Sequence, residues 1–208
     1  MLHRMQWLSH WGVNLQMVLD IGSYHGQFGD MIHEVWPLAE IISIEANPDH
    51  VQINPQQITA CLSDQDNKWV EYYTLPTGNI VTGASYYREN TAFYQNPIIS
   101  PMKTVKLDTL YQQYGWLGNW ADSGLVKMDT QGSELDILQG AQVFLTEQQP
   151  RLLLLEVSHQ PYNLGAPTAS HVVSYLYQTG YKWIDTWAQM RGAQDILLQS
   201  DLLFERMP

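Results

Sequence analysis

Residues 17–45 combine the features that most constrain the fold: an apolar segment, a glycine-containing loop, a helical repeat and a second apolar segment. The first apolar segment, residues 17–21, is followed by a loop with Gly22 and Gly26, where a missing side chain permits positive φ and close approach to a ligand. The second, residues 41–44, is followed by Glu45, whose carboxylate can accept hydrogen bonds from a ribose diol. Because such strand ends meet at one edge of an α/β sheet, a single bound nucleoside can contact both.

Strand-like and helix-like segments alternate along the rest of the chain. The predicted strands are residues 17–21, 41–45, 58–62, 68–75, 105–107, 125–128, 152–157, 181–185 and 196–198. The predicted helices are residues 2–11, 28–36, 107–114, a helix beginning at Ser133, and 168–179. This alternation predicts an α/β fold with a mainly parallel sheet and helices on both faces. Residues 186–195 show no helical pattern, so the final two strands are expected to be antiparallel.

Two local predictions are more specific. Residues 68–75 are expected to form one arm of a hairpin with a turn at residues 76–79. Ser133 is expected to cap the helix that follows it, with Asp136 at the reciprocal capping position.

The 208 residues are expected to form one domain spanning residues 1–208, with residues 1–14 as an N-terminal helical extension. Residues 82–102 are a long connection without clear periodicity. Such a segment is either a cover over an active-site pocket or an excursion packed on the surface.

Charge and cysteine content restrict the partners and the compartment. The formal net charge of -11 argues against a nucleic-acid partner, because such binding depends on Lys and Arg neutralising phosphates. Cys61 is the single cysteine, and no apolar run is long enough to cross a bilayer. We therefore expect a cytoplasmic protein without membrane insertion. The twelve Tyr and eight Trp are many for this length, and they favour a pocket lining or a homo-oligomer interface.

The glycine loop favours one type of nucleoside ligand. The spacing Gly22-x-x-x-Gly26 differs from the Gly-x-Gly-x-x-Gly of dinucleotide sites, and no Lys or Arg lies between Gly22 and Glu45 to hold a pyrophosphate. The same stretch is acidic. A nucleoside that carries a positive sulfonium fits this charge better than a dinucleotide does.

Five motifs resemble those of the FkbM-type methyltransferases. They are residues 18–27, 44–48, 61–64, 105–110 and 126–134, and the last is the most specific. The resemblance covers about residues 18–157. It implies a Rossmann-like, seven-stranded class I methyltransferase fold with an antiparallel last strand, S-adenosylmethionine (SAM) as cofactor, and methylation of hydroxyls on sugars, glycolipids or polyketide-like molecules.

The resemblance also implies roles for individual residues. Each part of SAM is assigned its own residues. The methionine part is held by Asp20, Gly22, Ser23 and Gly26, the ribose by Glu45, and the adenine lies near Asn47, Leu62 and Ser63. The family usually has Ala-Asn where this chain has Ser23-Tyr24, and more often a carboxylate than Gln131.

Methyl transfer to a hydroxyl needs alignment of two substrates and a group that removes the proton. Asp129, Glu134 and His159 are the candidates for that base or for orienting the acceptor. Simpler roles remain open: Asp20 can fix the glycine loop, Asp129 and Glu134 can stabilise a helix start, and His159 can be an ordinary surface or core histidine. Asp129 and Glu156 lack a clear third ligand, so no metal is expected.

The sequence therefore predicts a SAM-dependent O-methyltransferase with a small hydroxylated substrate. Two alternatives stay open: a non-catalytic SAM-binding or scaffold protein of the same fold, and, less favoured by the glycine spacing, a nicotinamide-dependent oxidoreductase.

Overall fold

A computed structural model describes residues 1–50, 57–76 and 82–208. The strands are β1 (Met17–Ile21), β2 (Glu40–Glu45), β3 (Gln57–Thr59), β4 (Cys61–Leu62), β5 (Trp69–Thr74), β6 (Ile98–Val105), β7 (Gly124–Met128), β8 (Leu152–Ser158), β9 (Tyr181–Arg191) and β10 (Leu197–Arg206). The α-helices are α1 (Leu2–His10), α2 (Gln27–Val35), α3 (Leu107–Tyr114), α4 (Trp120–Ser123), α5 (Glu134–Gln139), α6 (Gln142–Gln148) and α7 (Ala169–Gln178). None of the helices in these ranges has the length and apolar character needed to cross a membrane.

Seven strands form the main sheet in the order β3-β2-β1-β7-β8-β10-β9. The first five of these are parallel, and β10 is antiparallel to both β8 and β9. The predicted fold class is confirmed: a Rossmann-like, mainly parallel seven-stranded sheet with an antiparallel strand near the end of the chain. Right-handed crossovers bring the carboxyl ends of β1, β2 and β7 to one edge of the sheet.

Helices cover both faces of this sheet. All five residues of β1 are buried, with Met17, Leu19 and Ile21 in the core beneath α3 to α7 and Val18 in the core beneath α1 and α2. Side chains alternate between the faces of a strand, so Asp20 points toward the same face as Val18. A buried carboxylate thus lies in a mainly apolar layer, beside Lys127 of β7.

Of two strand predictions near the middle of the chain, one is wrong and one is confirmed. The expected strand at residues 58–62 divides at Ala60, because β3 pairs with β2 in the main sheet while β4 pairs with β6 in a separate three-stranded sheet. The strand predicted at residues 68–75 is confirmed as β5, which pairs antiparallel with β6 and, through Tyr73, forms an antiparallel bridge with Ser85. Of the predicted turn at residues 76–79, residues 77–79 lie outside the described residues.

The predicted strand at residues 105–107 is also misplaced, because β6 ends at Val105 and α3 begins at Leu107. Part of the 82–102 segment is therefore regular structure. The last two strands form as predicted but extend much further, and their pairing is antiparallel.

The helix expected from Ser133 is two helices, α5 and α6, separated near Gly140. A Cβ at Gly140 would collide with the carbonyl oxygen of Ser63, so this position requires glycine. The expected capping box does not form. The Ser133 hydroxyl donates to the carbonyl of Thr130, and the Asp136 carboxylate accepts hydrogen bonds from tyrosines outside the helix.

Candidate functional site

A cavity of about 250 Å³ opens at the carboxyl ends of β1, β2 and β7. Its walls include the end of β1 with the loop that follows, Glu45 and Ala46 at the end of β2, residues 60–62, and Lys127 with residues 129–131 at the end of β7. Crevices at this edge of open α/β sheets are the usual places for ligands. Residues 17–45, the stretch that most constrains the fold, therefore form one side of the cavity.

Gly22 and Gly26 are both in left-handed conformations, with φ of 74° and 78°. Any side chain at Gly22 would collide with the backbone carbonyl of Asp129, so the chain after β7 packs directly against this glycine. The backbone N–H groups of Gly22 and Ser23 donate to the carbonyl of Ile44 at 2.9 and 3.2 Å. The glycine at this position is thus required by contacts between three strand ends.

Glu45 is a buried acid on the cavity wall, with two backbone partners. Its Oε2 accepts from the N–H of Tyr24 and its Oε1 from the N–H of Asn47, each at 2.8 Å. Burial raises the pKa of Glu45, and the two backbone donors partly oppose that rise. Because each carboxylate oxygen has two lone pairs, one acceptor site per oxygen remains for a ligand.

The three residues expected near an adenine differ in position. Leu62 lines the cavity, beside Ala60 and Cys61. Asn47 and Ser63 are buried but are not among the described residues that line it. The Asn47 amide oxygen accepts from the N–H of Asp49, and the Ser63 hydroxyl donates to Asp64. Both polar side chains therefore stabilise the turns behind the wall.

Asp20 and Lys127 form a buried ion pair behind the glycine loop. The Lys127 ammonium lies 3.3 Å from Asp20 Oδ1 and donates to the carbonyl of Gly22 at 3.2 Å. Burial disfavours the charged lysine, but Asp20 and Asp129 outweigh it and raise the pKa of Lys127. Neither Asp20 oxygen has a hydrogen-bond partner in the described part of the chain.

Asp129 lies on the cavity wall and belongs to a side-chain network. The Gln131 amide nitrogen donates to Asp129 Oδ1 at 3.0 Å and to Glu156 Oε2 at 2.6 Å. The Gln199 amide also donates to Glu156 Oε2, at 3.0 Å. Burial raises the pKa of Glu156 well above its ordinary value, and the charge of Asp129 adds to that rise.

Glu134 and His159, the other two candidates for the base, do not line the cavity. Glu134 is buried at the start of α5 and accepts from the N–H and hydroxyl of Thr130 and from the N–H of Gly132. It closes the turn after β7. His159 contacts the Ser200 hydroxyl at 2.9 Å and lines a separate groove beside α7. The sequence predicted that Asp129, Glu134 and His159 would lie at one edge of the sheet. Of the three, only Asp129 lines the cavity.

Several residues that line the cavity could not be distinguished from ordinary core residues by their sequence pattern. Tyr24 adopts φ of 50° and its ring lies 4.5 Å from that of His50. Tyr72 reaches the cavity from the small sheet, and Phe28 and Met31 reach it from α2. The high aromatic content was the available signal, but it gave no positions.

The first part of the 82–102 segment also lines the cavity, through Thr82 and residues 84–86. The hydroxyls of Tyr86 and Tyr87 both donate to Asp136 Oδ2 on α5, at 3.0 and 2.9 Å. Asn163 donates from its amide to the carbonyl of Tyr87 at 3.0 Å. These contacts hold the segment against α5 and the loop after β8.

Comparison with known proteins agrees with the motifs. The family model described as the Methyltransferase FkbM domain matches residues 20–183. The chain therefore belongs to the FkbM family of SAM-dependent methyltransferases, and the resemblance drawn from the motifs is confirmed. Among curated proteins, none matches the chain.

Three solved methyltransferase structures match this chain over most of its length, and the first of them supports the fold. Methyltransferase FkbM from Methylobacillus flagellatus is 15% identical with a TM-score of 0.50, and the match covers 92% of this chain but 43% of that one. Precorrin-6y C5,15-methyltransferase from Geobacter metallireducens is 13% identical (TM-score 0.46; 94% and 81% covered). The 1,6-didemethyltoxoflavin-N1-methyltransferase from Burkholderia thailandensis, solved with S-adenosylhomocysteine, is 9% identical (TM-score 0.47; 100% and 78% covered).

Proposed function

We propose that this FkbM-family protein is a SAM-dependent O-methyltransferase that methylates a hydroxyl of a small molecule such as a sugar, a glycolipid or a polyketide-like metabolite. The observation that carries the proposal is the cavity between the glycine loop, Glu45 and Asp129. This cavity brings Glu45, which keeps free acceptor sites for a ribose diol, together with the carboxylate of Asp129 on the opposite side.

The residues present fit SAM better than a dinucleotide. Glu45 keeps free acceptor sites for a ribose diol. Lys127 is the only Lys or Arg among the described residues that line the cavity, and its charge is already balanced by Asp20. A pyrophosphate would therefore find no unpaired Lys or Arg among the described lining residues. This argues against the nicotinamide-dependent alternative.

The cofactor assignments follow from these positions. We assign the methionine part of SAM to Gly22, Ser23 and the loop that ends at Gly26, and the ribose to Glu45. Asp20 Oδ1 pairs with Lys127, and Oδ2 has no hydrogen-bond partner among the described residues, which supports a role of Asp20 at the same loop. Leu62 would contact the adenine, while Asn47 and Ser63 would shape that end of the cavity from behind.

Bound SAM would supply an electrophilic methyl group for an in-line transfer. The protein must then align the acceptor hydroxyl and take up its proton. We assign this role to Asp129, because it is the one candidate base on the cavity wall and Gln131 fixes its carboxylate. Residues 82–102 would act as the cover that excludes water, and their contacts with α5 support that assignment.

Two measurements test the proposal. Isothermal titration calorimetry with SAM, S-adenosylhomocysteine (SAH) and NAD should give binding of the first two and none of NAD. Incubation with SAM and a panel of hydroxylated metabolites should then give a product heavier by one methyl group in mass spectrometry.

The outcomes separate the alternatives. NAD binding without SAM binding would contradict the proposal outright. SAM binding without turnover of SAM over the whole panel would favour the non-catalytic SAM-binding protein. Methylation confined to nitrogen in amine-containing members would retain the methyltransferase and overturn the O-methyl assignment.

A further inference from the structure

On the β7 side of the cavity, one lysine faces two carboxylates, so one negative charge is left without a countercharge among these three groups. One ammonium, that of Lys127, lies between two carboxylates, 3.3 Å from Asp20 and 3.6 Å from Asp129. Lys127 and Asp20 are buried, whereas the Asp129 side chain is 39% exposed and lines the cavity. The three groups together therefore present a net negative charge to the cavity.

Gln131 holds this carboxylate in place. Its φ of 56° turns the chain so that one amide nitrogen reaches both Asp129 and Glu156. An amide provides the two N–H groups that two carboxylates require, whereas a carboxylate at residue 131 would provide none. Gln199 supports the arrangement from β10 by donating to Glu156.

The position of Asp129 is also fixed relative to the glycine loop. The Asp129 N–H donates to the carbonyl of Ile21 at 3.0 Å, and its own carbonyl packs against Gly22. The carboxylate therefore lies beside the loop assigned to the methionine part of SAM, on the side of the cavity formed by β7 rather than on the side formed by Glu45.

SAM and SAH differ by one methyl group and one positive charge at sulfur. Their other groups are identical, so the ratio of their affinities reports chiefly on the electrostatic potential at that atom. A carboxylate near the sulfur raises the affinity for the sulfonium and leaves the neutral thioether almost unaffected.

We propose that Asp129, positioned by Gln131, gives this site a preference for the charged methyl donor over its neutral product. The inference rests on the proposed function and deepens it. Once the methyl group has left, the sulfur is neutral and its attraction to Asp129 is lost. The same carboxylate thereby favours donor binding and product release.

Calorimetry at pH 7.5 with SAM and SAH tests this without a known acceptor. Asp129→Asn should weaken SAM binding about tenfold and SAH binding less than about twofold, the size expected for one charge pair in a partly hydrated site. Gln131→Met, which keeps the length of the side chain but removes both donors, should weaken SAM about threefold in the same selective way. Asp122→Asn, at an exposed carboxylate on α4, is the matched control and should change neither affinity.

Equal losses of SAM and SAH in Asp129→Asn would overturn the inference, because a residue that only fixes the loop affects both ligands alike. Unchanged SAM affinity would overturn it as well. If Asp129→Asn fails to fold by circular dichroism, the selective loss in Gln131→Met decides the question. Failure of the wild type to bind either ligand would instead refute the proposed function, and the inference with it.

Discussion

The two sides of the cavity stabilise their acids by different means. Glu45, on the β2 side, accepts hydrogen bonds from the backbone N–H groups of Tyr24 and Asn47. On the β7 side, Asp20 depends on the ammonium of Lys127, and Asp129 on the amide of Gln131. The first side uses backbone groups, one of them two residues away. The second uses side chains: Lys127 reaches Asp20 from the neighbouring strand, and Gln131 reaches Asp129 within one loop.

This difference has an energetic consequence. Backbone donors are present whatever the side chain, so a substitution near Glu45 leaves them in place. A buried ion pair instead fails when one partner is removed, because the remaining charge keeps its full desolvation cost. The β7 side should therefore be the more sensitive to mutation in its stability, and the β2 side in its nucleoside affinity.

The largest effect should come from the ion pair. Lys127→Met leaves Asp20 buried without its countercharge and should lower the free energy of unfolding by about 3–5 kcal/mol. Urea denaturation measures this. The double variant Asp20→Asn/Lys127→Met should recover a large part of the loss.

Lys68→Met is the control for that experiment. Lys68 pairs with Asp64 at 3.9 Å on the surface, so its removal should cost about 0–1 kcal/mol. A Lys127→Met variant no less stable than Lys68→Met would show that the two sides of the cavity do not differ as described.

Glu134 should give a distinct pH dependence on the β7 side. Burial raises its pKa from 4.5 to about 7, against the opposing N–H donors. A raised carboxyl pKa stabilises the fold at low pH, and that stabilisation is lost as the pH rises from about 4.5 through about 7, a change of about 3 kcal/mol.

Urea denaturation at pH 4.5 and pH 7.5 compares the wild type with Glu134→Gln. The loss of stability between the two pH values should be smaller in the variant, because glutamine does not titrate. Identical losses in both proteins would mean that Glu134 is not held in the low-dielectric environment that the turn after β7 implies.

On the β2 side, Glu45→Gln should weaken SAM and SAH equally, by about 2 kcal/mol, since glutamine loses charge-assisted hydrogen bonds to the ribose. Calorimetry with SAM and SAH measures both affinities. Glu40→Gln, at the exposed start of the same strand, is the control. Selective loss of SAM would assign to Glu45 the charge recognition that we place at Asp129.

The smallest effect on stability should come from Tyr86 and Tyr87, in the segment 82–102 that adjoins both sides of the cavity. Tyr87→Phe removes one hydrogen bond to Asp136 and should cost about 1 kcal/mol in urea denaturation. Tyr86→Phe should cost about as much, and the two effects should not add, because both hydroxyls donate to one oxygen. Tyr177→Phe, at a tyrosine that is 67% exposed, should change nothing measurable.

Sequence patterns predicted the parts of this fold that depend on local periodicity. β1, α2 and α7 follow from apolar spacing, and Gly115 and Gly180 end their helices or turns with positive φ, as short-range rules require. The division of residues 58–62 did not follow, since both halves are equally β-forming and only their partners, β2 and β6, separate them. The capping box at Ser133 failed for a related reason: Asp136 had more favourable donors in tyrosines about fifty residues earlier.

The sequence by itself determined the family, the fold class and the acids at the strand ends. These depend on short motifs and on residues that follow one another directly along the chain. The tertiary structure alone decided which of the three candidate residues faces the cavity, because burial and partners come from distant segments. It placed Glu134 in a turn, His159 in another groove and Asp129 on the cavity wall, where Gln131 from its own loop joins it to Glu156 on the next strand.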